Sequence, residues 1–462
     1  MTWRVRFAWL PLALWWLLLP LTAGGSVTIQ QIRLINYRIP RTSPFVTSMA
    51  SSDSCYGIYI LMTASDGAGH TYTALGDILP RALVTNEITA DAWAGAGAMA
   101  EALRGKQLSG TDETADLQTV RDWLAMLDKI ANQQKLTTRY PPPRGKQLRA
   151  TLCGFDIALL DLMGQVYQVP IYEILGGEKR KEVTLSALTF GADMTPDELD
   201  EKVEQTSESF STIRIKVGLN DDQDVNKLRI AATKLANKPD VTIWVDVNQA
   251  WRTSDRAIAV LARIRDMFKS VGFKATFICE QPTLGTDMPA LARTTAEVHK
   301  WRADLPFKMV IAADESIWTL EDARQIVATN ACDMVNIKIQ KAGGLLASKD
   351  IADYLATAAP NMIIYIGGVV ATDVTSWANL QLCYTLPRLD YVTACVPRRL
   401  YTVNPASVPV EYEKDKIMKH PTQPGLGTGL DLSKLEGYIL RDTAAPTTRA
   451  TVGPATAPQP HP

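Results

Sequence analysis

Acidic and basic side chains recur at regular intervals through the middle of the chain. The carboxylates are Asp246, Glu280 and Asp314, and the lysines are Lys216 and Lys338. Oxygen ligands without His or Cys suit Mg²⁺, and Mn²⁺ takes the same ligands. A lysine that is buried or lies beside another positive charge has a lowered pKa and becomes a general base. Together these residues predict removal of a proton from a carbon next to a carboxylate, with a metal ion stabilising the enolate.

The elements that must position these residues form a strand–helix repeat. Segments with helical spacing, such as 221–235 and 254–268, separate short runs rich in Val, Ile, Thr and aromatic residues. The runs begin about thirty residues apart, which is the length of a strand and a crossover helix. The eight runs start at Val183, Thr212, Thr242, Thr276, Lys308, Met334, Met362 and Tyr391. This alternation predicts a parallel barrel, because the alternative, an open doubly wound sheet, lacks its usual GxGxxG or P-loop motif here.

In such a barrel the active site lies at the carboxyl ends of the strands. The three carboxylates lie at the carboxyl ends of the neighbouring strands 3, 4 and 5, so they should converge. Lys216 and Lys338 end strands 2 and 6, so they should face each other across the mouth. Arg214 points the same way as Lys216, where its charge should lower the pKa of that lysine. The alternative is a carboxylate cluster paired only with Lys and Arg, which is costly to bury without a metal cation.

The charged motifs resemble those of the enolase superfamily, in particular its muconate lactonizing enzyme subgroup. They are RIK at 214–216, DVN at 246–248, EQP at 280–282, DES at 314–316 and KIQKAGG at 338–344, and the stretch 76–87 is similar to a substrate-facing loop of the family. The resemblance implies an α/β fold, a TIM-like (β/α)7β barrel with an N-terminal α+β capping domain. It also implies that the three carboxylates bind Mg²⁺ and that Lys216 and Lys338 are the acid/base pair.

The resemblance implies roles for further residues. Those expected to contact the substrate or to support the metal ligands are Arg214, Asn248, Arg81, Thr393 and Cys395. Lys341 is expected to be structural, and Glu315, although next to a metal ligand, is expected to point to the opposite face of its strand. The four histidines fall outside the strand ends, which argues against a histidine base.

The reaction implied by the resemblance is racemisation or epimerisation of an amino-acid derivative or dipeptide, because opposed lysines can remove a proton from one face and return one to the other. A lyase or cycloisomerase using the same enolate, such as a dehydratase, an o-succinylbenzoate-synthase-like or a muconate-cycloisomerase-like enzyme, is the alternative. Where dipeptide epimerases hold the substrate ammonium with two Asp, this chain has Thr393 and Cys395, and Ala371 stands where relatives often carry Glu. A substrate with a free ammonium group is therefore less favoured.

A non-catalytic binding protein that kept the same scaffold is a further alternative. It is disfavoured, since all five motifs are present.

The ends of the chain differ from its average composition. Residues 1–25 combine two arginines, an apolar run at 7–21 and small residues, which predicts a secretory signal peptide and a secreted or periplasmic protein. An uncleaved membrane anchor is the alternative. The other predicted units are a capping domain at 27–181, the barrel at 182–400, a segment returning to the capping domain at 401–440 and a disordered tail at 441–462.

Charge and cysteine usage narrow the class of protein. The chain has 48 Lys and Arg against 49 Asp and Glu, a net charge of −1, which argues against a nucleic-acid partner. The six cysteines are scattered without a CxxC pair, so no disulfide framework is expected. The expected partner is a small-molecule carboxylate substrate, with no membrane contact beyond the N-terminal segment. A homo-oligomer is compatible with the sequence.

Overall fold

A computed structural model describes residues 25–138, 145–369, 371–394, 400–413, 416–417 and 421–444. The predicted signal peptide up to residue 24, the tail from residue 445 and Cys395 lie outside the described residues. Among the described residues, no helix has the length and apolar character needed to span a membrane.

The N-terminal domain is an antiparallel sheet covered by helices. Its elements are β1 (Val27–Val46), β2 (Ser51–Ser65), β3 (Thr71–Ile78), α1 (Thr89–Leu103), β4 (Gln107–Leu108), α2 (Glu113–Gln133), α3 (Arg149–Tyr167) and α4 (Ile171–Ile174). Strand β2 lies between β1 and β3, and β4 pairs with β1. Helix α3 is apolar on nearly every side and buried along almost its whole length, as expected of a helix that is covered on all faces.

The second domain is a barrel of eight parallel strands. They are β5 (Ala187–Phe190), β6 (Thr212–Lys216), β7 (Thr242–Asp246), β8 (Thr276–Glu280), β9 (Lys308–Ala313), β10 (Met334–Ile337), β11 (Ile363–Ile366) and β12 (Tyr391–Val392). The strands follow one another in sequence order around the sheet. The Ser186 amide donates to the Val392 carbonyl over 2.8 Å, so the last strand joins the first and the barrel closes. The predicted (β/α) barrel with an N-terminal cap is confirmed.

Helices connect the strands on the outside of the barrel. They are α5 (Pro196–Ser207), α6 (Asp221–Lys234), α7 (Ser254–Ser270), α8 (Met288–Trp301), α9 (Leu320–Thr329), α10 (Ile339–Ala342), α11 (Leu345–Ala358) and α12 (Asp373–Thr385). Five of them begin at a side chain that accepts a hydrogen bond from a backbone amide of the first turn. These N-caps are Thr195, Asn220, Thr253, Asp287 and Thr319, residue types that stabilise helix starts.

Strand register aligns the charged residues at one end of the barrel. Lys216 on β6 pairs with Asp246 on β7, which pairs with Glu280 on β8. Positions two residues earlier face the same side of each strand. The barrel interior below the charged residues is filled by an apolar cluster of Trp244, Ile278, Val310, Ala312, Met334 and Tyr365. This layer shields the lower side of the charged residues from water.

The C-terminal segment contributes β13 (Tyr412–Glu413), β14 (Lys416–Ile417) and β15 (Ile439–Asp442). Strand β15 pairs antiparallel with β1, and Asp442 forms an ion pair of 2.6 Å with Arg33. The predicted start of the disordered tail at residue 441 is therefore wrong, because Arg441 and Asp442 belong to this strand. An edge strand is held by backbone hydrogen bonds and needs few apolar side chains, so composition alone did not reveal it.

A buried carboxylate joins the capping domain to the barrel. Asp156 of α3 accepts a hydrogen bond from the Leu345 amide at 2.6 Å, at the first turn of α11. The approach depends on Gly344, which has a φ of +142° and where an added Cβ would lie 2.3 Å from the Asp156 carboxyl carbon. Only glycine has both the conformational freedom and the space for this contact. Gly344, at the end of the KIQKAGG motif, therefore permits this hydrogen bond between the capping domain and the barrel.

The described cysteines are all free and buried. They are Cys55, Cys153, Cys279, Cys332 and Cys383. In such surroundings a cysteine packs as a small apolar side chain.

Candidate active site

Three carboxylates from neighbouring strands meet at the mouth of the barrel. Asp246, Glu280 and Asp314 are buried, and one oxygen from each lies within 4.8 Å of the others. Magnesium binds oxygen ligands at about 2.1 Å, so ligands on opposite sides of the ion are about 4.2 Å apart. The cluster therefore fits a divalent cation that prefers oxygen, after small side-chain movements.

Arg214 lies between two of these carboxylates. Its Nη2 atom donates to Asp246 Oδ2 and Glu280 Oε2, both at 2.6 Å, and the guanidinium stacks over the Trp244 ring. Burial lowers the pKa of Arg214, but the negative charges of Glu280 and Asp246 outweigh burial and raise it well above its ordinary value. Arg214 therefore compensates the carboxylates, whereas the sequence predicted that it would act on Lys216.

The two predicted lysines bind different carboxylates. Lys216 Nζ donates to Asp246 Oδ2 at 2.5 Å and to Asn248 Oδ1 at 2.7 Å. Lys338 Nζ donates to Asp314 Oδ2 at 2.6 Å. Their strands, β6 and β10, are four apart in the closed ring of eight. The lysines therefore stand on opposite sides of the carboxylate cluster.

Lys338 is strongly affected by the charges around it. Burial lowers its pKa, but the negative charges of Asp314 and Glu280 outweigh burial and raise the pKa above its ordinary value. The prediction of a lowered lysine pKa is therefore wrong for Lys338 when only the charges of the protein act on it. Lys338 lies next to more negative than positive charge, a balance that residue spacing in the sequence does not specify.

Lys341 holds Asp314 through the carboxylate oxygen that Lys338 does not contact. Its Nζ donates to Asp314 Oδ1 at 2.5 Å, to the Asp314 carbonyl, and to the Asn336 carbonyl at 3.2 Å. The side chain is buried, with 1% of its surface exposed. Lys338 and Lys341 together lower the pKa of Asp314 against the opposing effect of burial. Asp314 is thus an ionised carboxylate with a fixed orientation.

Glu315 points into the site, so the prediction that it faces away is wrong. Its Oε1 accepts from Asn248 Nδ2 at 3.3 Å, and its Oε2 is buried without a hydrogen-bond partner. Strand β9 ends at Ala313, so the alternation of side chains that the prediction assumed has stopped before Glu315. Burial, followed by the charges of Asp314 and Asp246, raises the pKa of Glu315 to about 8.

Other polar residues around the carboxylates were missed by sequence reasoning. Glu280 accepts hydrogen bonds from Trp244 Nε1 at 2.9 Å, Asn336 Nδ2 at 2.9 Å and the Tyr365 hydroxyl at 3.0 Å. Trp244 and Asn336 precede a predicted site residue by two positions and share its strand face. That period of two was the signal that could have revealed them.

Gln281, in the EQP motif, fixes the turn that carries Asp314. Its Oε1 accepts from the backbone amides of Asp314 at 2.9 Å and Ser316 at 3.1 Å, and its Nε2 donates to Ser316 Oγ at 2.8 Å. The amide therefore links the ends of β8 and β9. Gln281 and Ser316 therefore help to hold the turns that carry Glu280 and Asp314.

The hydrogen bonds found for two other predicted substrate contacts do not involve the carboxylate cluster. Arg81 donates within the capping domain, to the Tyr56 and Pro80 carbonyls at 2.6 and 2.8 Å and to Cys55 Sγ at 3.2 Å. Thr393 follows β12 at the carboxyl end of the barrel, where its amide donates to the Ile366 carbonyl at 3.0 Å. Cys395 is outside the described residues.

The described histidines lie away from the carboxylate cluster. His70 pairs with Asp66 near the β2–β3 turn, and His299 on α8 pairs with Asp333. His420 and His461 are not among the described residues. Neither described histidine is placed to serve as a base at the barrel mouth.

A closed barrel with an N-terminal cap and a carboxylate cluster at the strand ends defines the class of protein. A family model described as "Enolase C-terminal domain-like" matches residues 198–434. The chain belongs to the enolase superfamily, among its mandelate racemase and muconate lactonizing enzyme members.

Known relatives differ in the reaction named for them. The N-succinyl-L-Arg/Lys racemase of Bacillus cereus is 24% identical over 417 residues, covering 88% of this chain and 97% of the racemase. Muconate cycloisomerase 1 of Acinetobacter baylyi is 27% identical over 289 residues, covering 62% of this chain and 72% of that enzyme. The structure of a dipeptide epimerase from Cytophaga hutchinsonii, complexed with Mg and D-Ala-L-Val, has a TM-score of 0.71 at 22% identity, covering 90% of this chain and 99% of the epimerase. The last similarity supports the fold.

Proposed function

We propose that this protein is a Mg²⁺-dependent isomerase that racemises or epimerises an amino-acid derivative at the carbon next to its carboxylate. One observation carries the proposal. Lys216 and Lys338 stand on opposite sides of the carboxylate cluster, each bonded to a different carboxylate at 2.5 and 2.6 Å. A carbon held between them presents one face to each lysine. Inversion requires a proton donor on one face and an acceptor on the other.

Different residues would bind the metal and transfer the protons. Asp246, Glu280 and Asp314 would hold Mg²⁺, or Mn²⁺ in its place. When bound, the ion supplies positive charge that stabilises an enolate and offsets the negative charge beside Lys338. One lysine takes the proton from the α-carbon and the other lysine returns a proton to the opposite face. The apolar layer of Trp244 and its neighbours excludes water from below the reacting carbon.

The substrate class follows from the end of the last strand. Thr393 carries no charge there, so a substrate whose amine is acylated suits this position better than a free ammonium. The similarity to a racemase named for N-succinyl-Arg/Lys over 97% of its length supports the same choice. We therefore favour N-acyl amino acids over dipeptides with a free amine.

Proton exchange in D₂O tests the proposal directly. The protein with Mg²⁺ is incubated with N-acyl amino acids and dipeptides of both configurations, and α-deuterium incorporation and optical rotation are followed by NMR and polarimetry. We expect deuterium at the α-carbon together with inversion. Lys216→Ala and Lys338→Ala serve as controls, since each should abolish inversion. Absence of exchange across the panel would contradict the racemase proposal.

Cycloisomerisation or a lyase reaction is the second candidate, and the similarity to muconate cycloisomerases favours it. The same enolate forms, but one lysine only stabilises charge or assists a leaving group. Formation or loss of a double bond, followed by ultraviolet absorbance with muconate and with β-hydroxy acids, distinguishes this reaction. Exchange with inversion but no absorbance change would exclude it for those substrates.

We further propose that the protein is exported. The composition of residues 1–25 supports this proposal, and β1 starts at Val27, which pairs with Leu108 in the capping sheet. Cleavage before Ser26 would leave that sheet intact. Cell fractionation with N-terminal sequencing of the mature protein tests the proposal, and an intact N-terminus in the membrane fraction would identify an anchor instead.

A further inference from the structure

We propose that Glu315 and Asn248 are positioning residues for Lys216, and that other residues position Lys338. Glu315 holds the Asn248 amide in the orientation that presents its oxygen to the Lys216 ammonium. This role rests on the proposed racemase function, in which the two lysines serve opposite faces of the substrate.

The chain of contacts runs from one strand end to another. Glu315 Oε1 accepts from Asn248 Nδ2 at 3.3 Å, and Asn248 Oδ1 accepts from Lys216 Nζ at 2.7 Å. Glu315 follows β9 and Asn248 follows β7, so the contact spans the end of β8. The backbone amide of Asn248 donates to Asp246 Oδ1 at 3.1 Å, and the residue has a φ of +45°. Asn248 is therefore also held through its main chain.

An asparagine amide has an acceptor and a donor of similar shape, so rotation by half a turn exchanges them. In the rotated state the Asn248 nitrogen would face the Lys216 ammonium, and donor would meet donor. The observed contact with Glu315 Oε1, an acceptor, is made only in the unrotated state. Glu315 therefore supports the same orientation of Asn248 in which Lys216 is bound.

Asn248 controls where the remaining proton of Lys216 points. The ammonium has three N–H donors, and two of them go to Asp246 Oδ2 and Asn248 Oδ1. With two directions fixed, the third is fixed as well. Loss of the Asn248 acceptor would leave Lys216 with a single anchor, Asp246, and let its Nζ rotate. A displacement of about 1 Å between reacting groups costs about a hundredfold in rate.

The opposite lysine is held by different residues. Lys338 Nζ binds Asp314 Oδ2, and Lys341 Nζ binds the other oxygen of the same carboxylate, Oδ1. Within the described part of the chain, no hydrogen bond joins Lys338 to Asn248 or Glu315. The charge of Glu315 contributes to the raised pKa of Lys338, so Glu315→Leu must be compared with Glu315→Gln, which removes the same charge and keeps the acceptor. Relative to that variant, Glu315→Leu should affect proton transfer on one face of the substrate more than on the other.

The experiment measures α-proton exchange separately for the two enantiomers of the substrate in D₂O. Lys216→Ala identifies the enantiomer that depends on Lys216, and Lys338→Ala identifies the other. For Asn248→Leu, and for Glu315→Leu relative to Glu315→Gln, we expect exchange of the Lys216-dependent enantiomer to fall by about ten- to a hundredfold, with exchange of the other enantiomer within about threefold. Glu315→Gln retains an oxygen acceptor and should restore most of the lost rate.

Thr189→Val is the matched control. It removes the hydrogen bond from Arg214 Nη1 to Thr189 Oγ1, a contact at the same site that involves neither lysine, and it should leave the ratio of the two exchange rates unchanged. Equal slowing of both enantiomers by Asn248→Leu, or by Glu315→Leu relative to Glu315→Gln, with normal folding by circular dichroism, would overturn the positioning role. Absence of exchange in the wild-type protein would instead contradict the proposed function.

Discussion

Arg214 Nη2 and Lys216 Nζ donate to the same oxygen, Asp246 Oδ2, at 2.6 and 2.5 Å. One carboxylate thus faces two cations from alternate positions of strand β6. Among the protein charges alone, this pairing offsets the cost of burying Asp246 and Glu280 at the barrel mouth. We therefore expect stability without metal and metal binding to be coupled through Arg214.

Arg214→Leu should destabilise the metal-free protein. Breaking a buried ion pair leaves uncompensated charge and costs roughly 3 to 5 kcal/mol of unfolding free energy. We expect Mg²⁺ to restore part of this loss, because the cation compensates the same carboxylates. Urea unfolding in EDTA and in Mg²⁺ measures both effects.

Arg256→Leu is the control for Arg214→Leu. Arg256 pairs with Asp221 near the surface at 3.2 Å, and an exposed pair contributes at most about 1 kcal/mol. Its loss should be equal in EDTA and in Mg²⁺. If Arg214→Leu also lost the same unfolding free energy in EDTA and in Mg²⁺, the coupling would be contradicted.

Lys338 and Lys341 should have separable roles. Lys338→Ala should lower turnover by about a hundred- to ten-thousandfold, the usual contribution of a general acid or base, without weakening Mg²⁺ binding. Lys341→Met should weaken Mg²⁺ binding by about tenfold or more, because Asp314 loses the contacts that orient it. Titration calorimetry with Mg²⁺ and turnover on the substrate found by exchange give the two readouts. Equal Mg²⁺ affinities for the two variants would contradict this division.

The Asp156 carboxyl should make stability depend on pH. Burial, only partly offset by the amides of Leu345 and Leu346, raises its pKa to about 7, against about 4 in an unfolded chain. Because the folded state holds the proton more tightly, Asp156 contributes stability that is fully present below about pH 4 and is lost as the pH rises through about 7.

Asp156→Asn removes this titration and keeps an oxygen acceptor for the Leu345 amide. The unfolding free energy of the variant relative to wild type should rise by about 3 kcal/mol between pH 5 and pH 8. Urea unfolding at the two pH values measures the change. Asp304→Asn, at an exposed carboxyl, is the control. A difference between Asp156→Asn and wild type that stays constant with pH would show that Asp156 does not titrate in this range.

Gly344→Ala should loosen the capping domain from the barrel. The added Cβ would meet the Asp156 carboxyl at 2.3 Å in a backbone conformation with φ of +142°. Backbone strain and loss of the Asp156 hydrogen bond together should cost about 2 to 4 kcal/mol of unfolding free energy. Gly272→Ala, at φ +70° with open space around it, should cost only about 1 kcal/mol. Equal losses in thermal or urea unfolding would show that the contact with Asp156 contributes nothing.

The sequence predicted the barrel and its charged strand ends because both follow from simple periods. Asp246 and Glu280 fall at the end of buried strands, and strand adjacency then brings them together. Glu315 was placed wrongly because the strand ends two residues earlier, and an alternation rule does not extend into a turn. Strand boundaries depend on tertiary contacts such as those of Gln281, which no local pattern contains.

The charge balance was harder to predict than the positions of the residues. Whether the pKa of Lys338 rises or falls depends on distances to several carboxylates at once. Arg214 was expected to act on Lys216, yet its guanidinium reaches sideways to Glu280 on a strand two away in the barrel. Side-chain direction within the crowded interior decides this, and sequence spacing does not specify it.

The pairing of β15 with β1 has a consequence for how the protein is made. Tyr37, near the start of the chain, has Ile439 as its sheet partner, so the capping sheet gains this edge only after the whole barrel has left the ribosome. Contacts between residues so far apart in sequence form slowly because a long loop must close first. The capping domain is therefore expected to stay open along β1 during translation, and expressing the first 181 residues alone should yield a sheet with an exposed edge that aggregates.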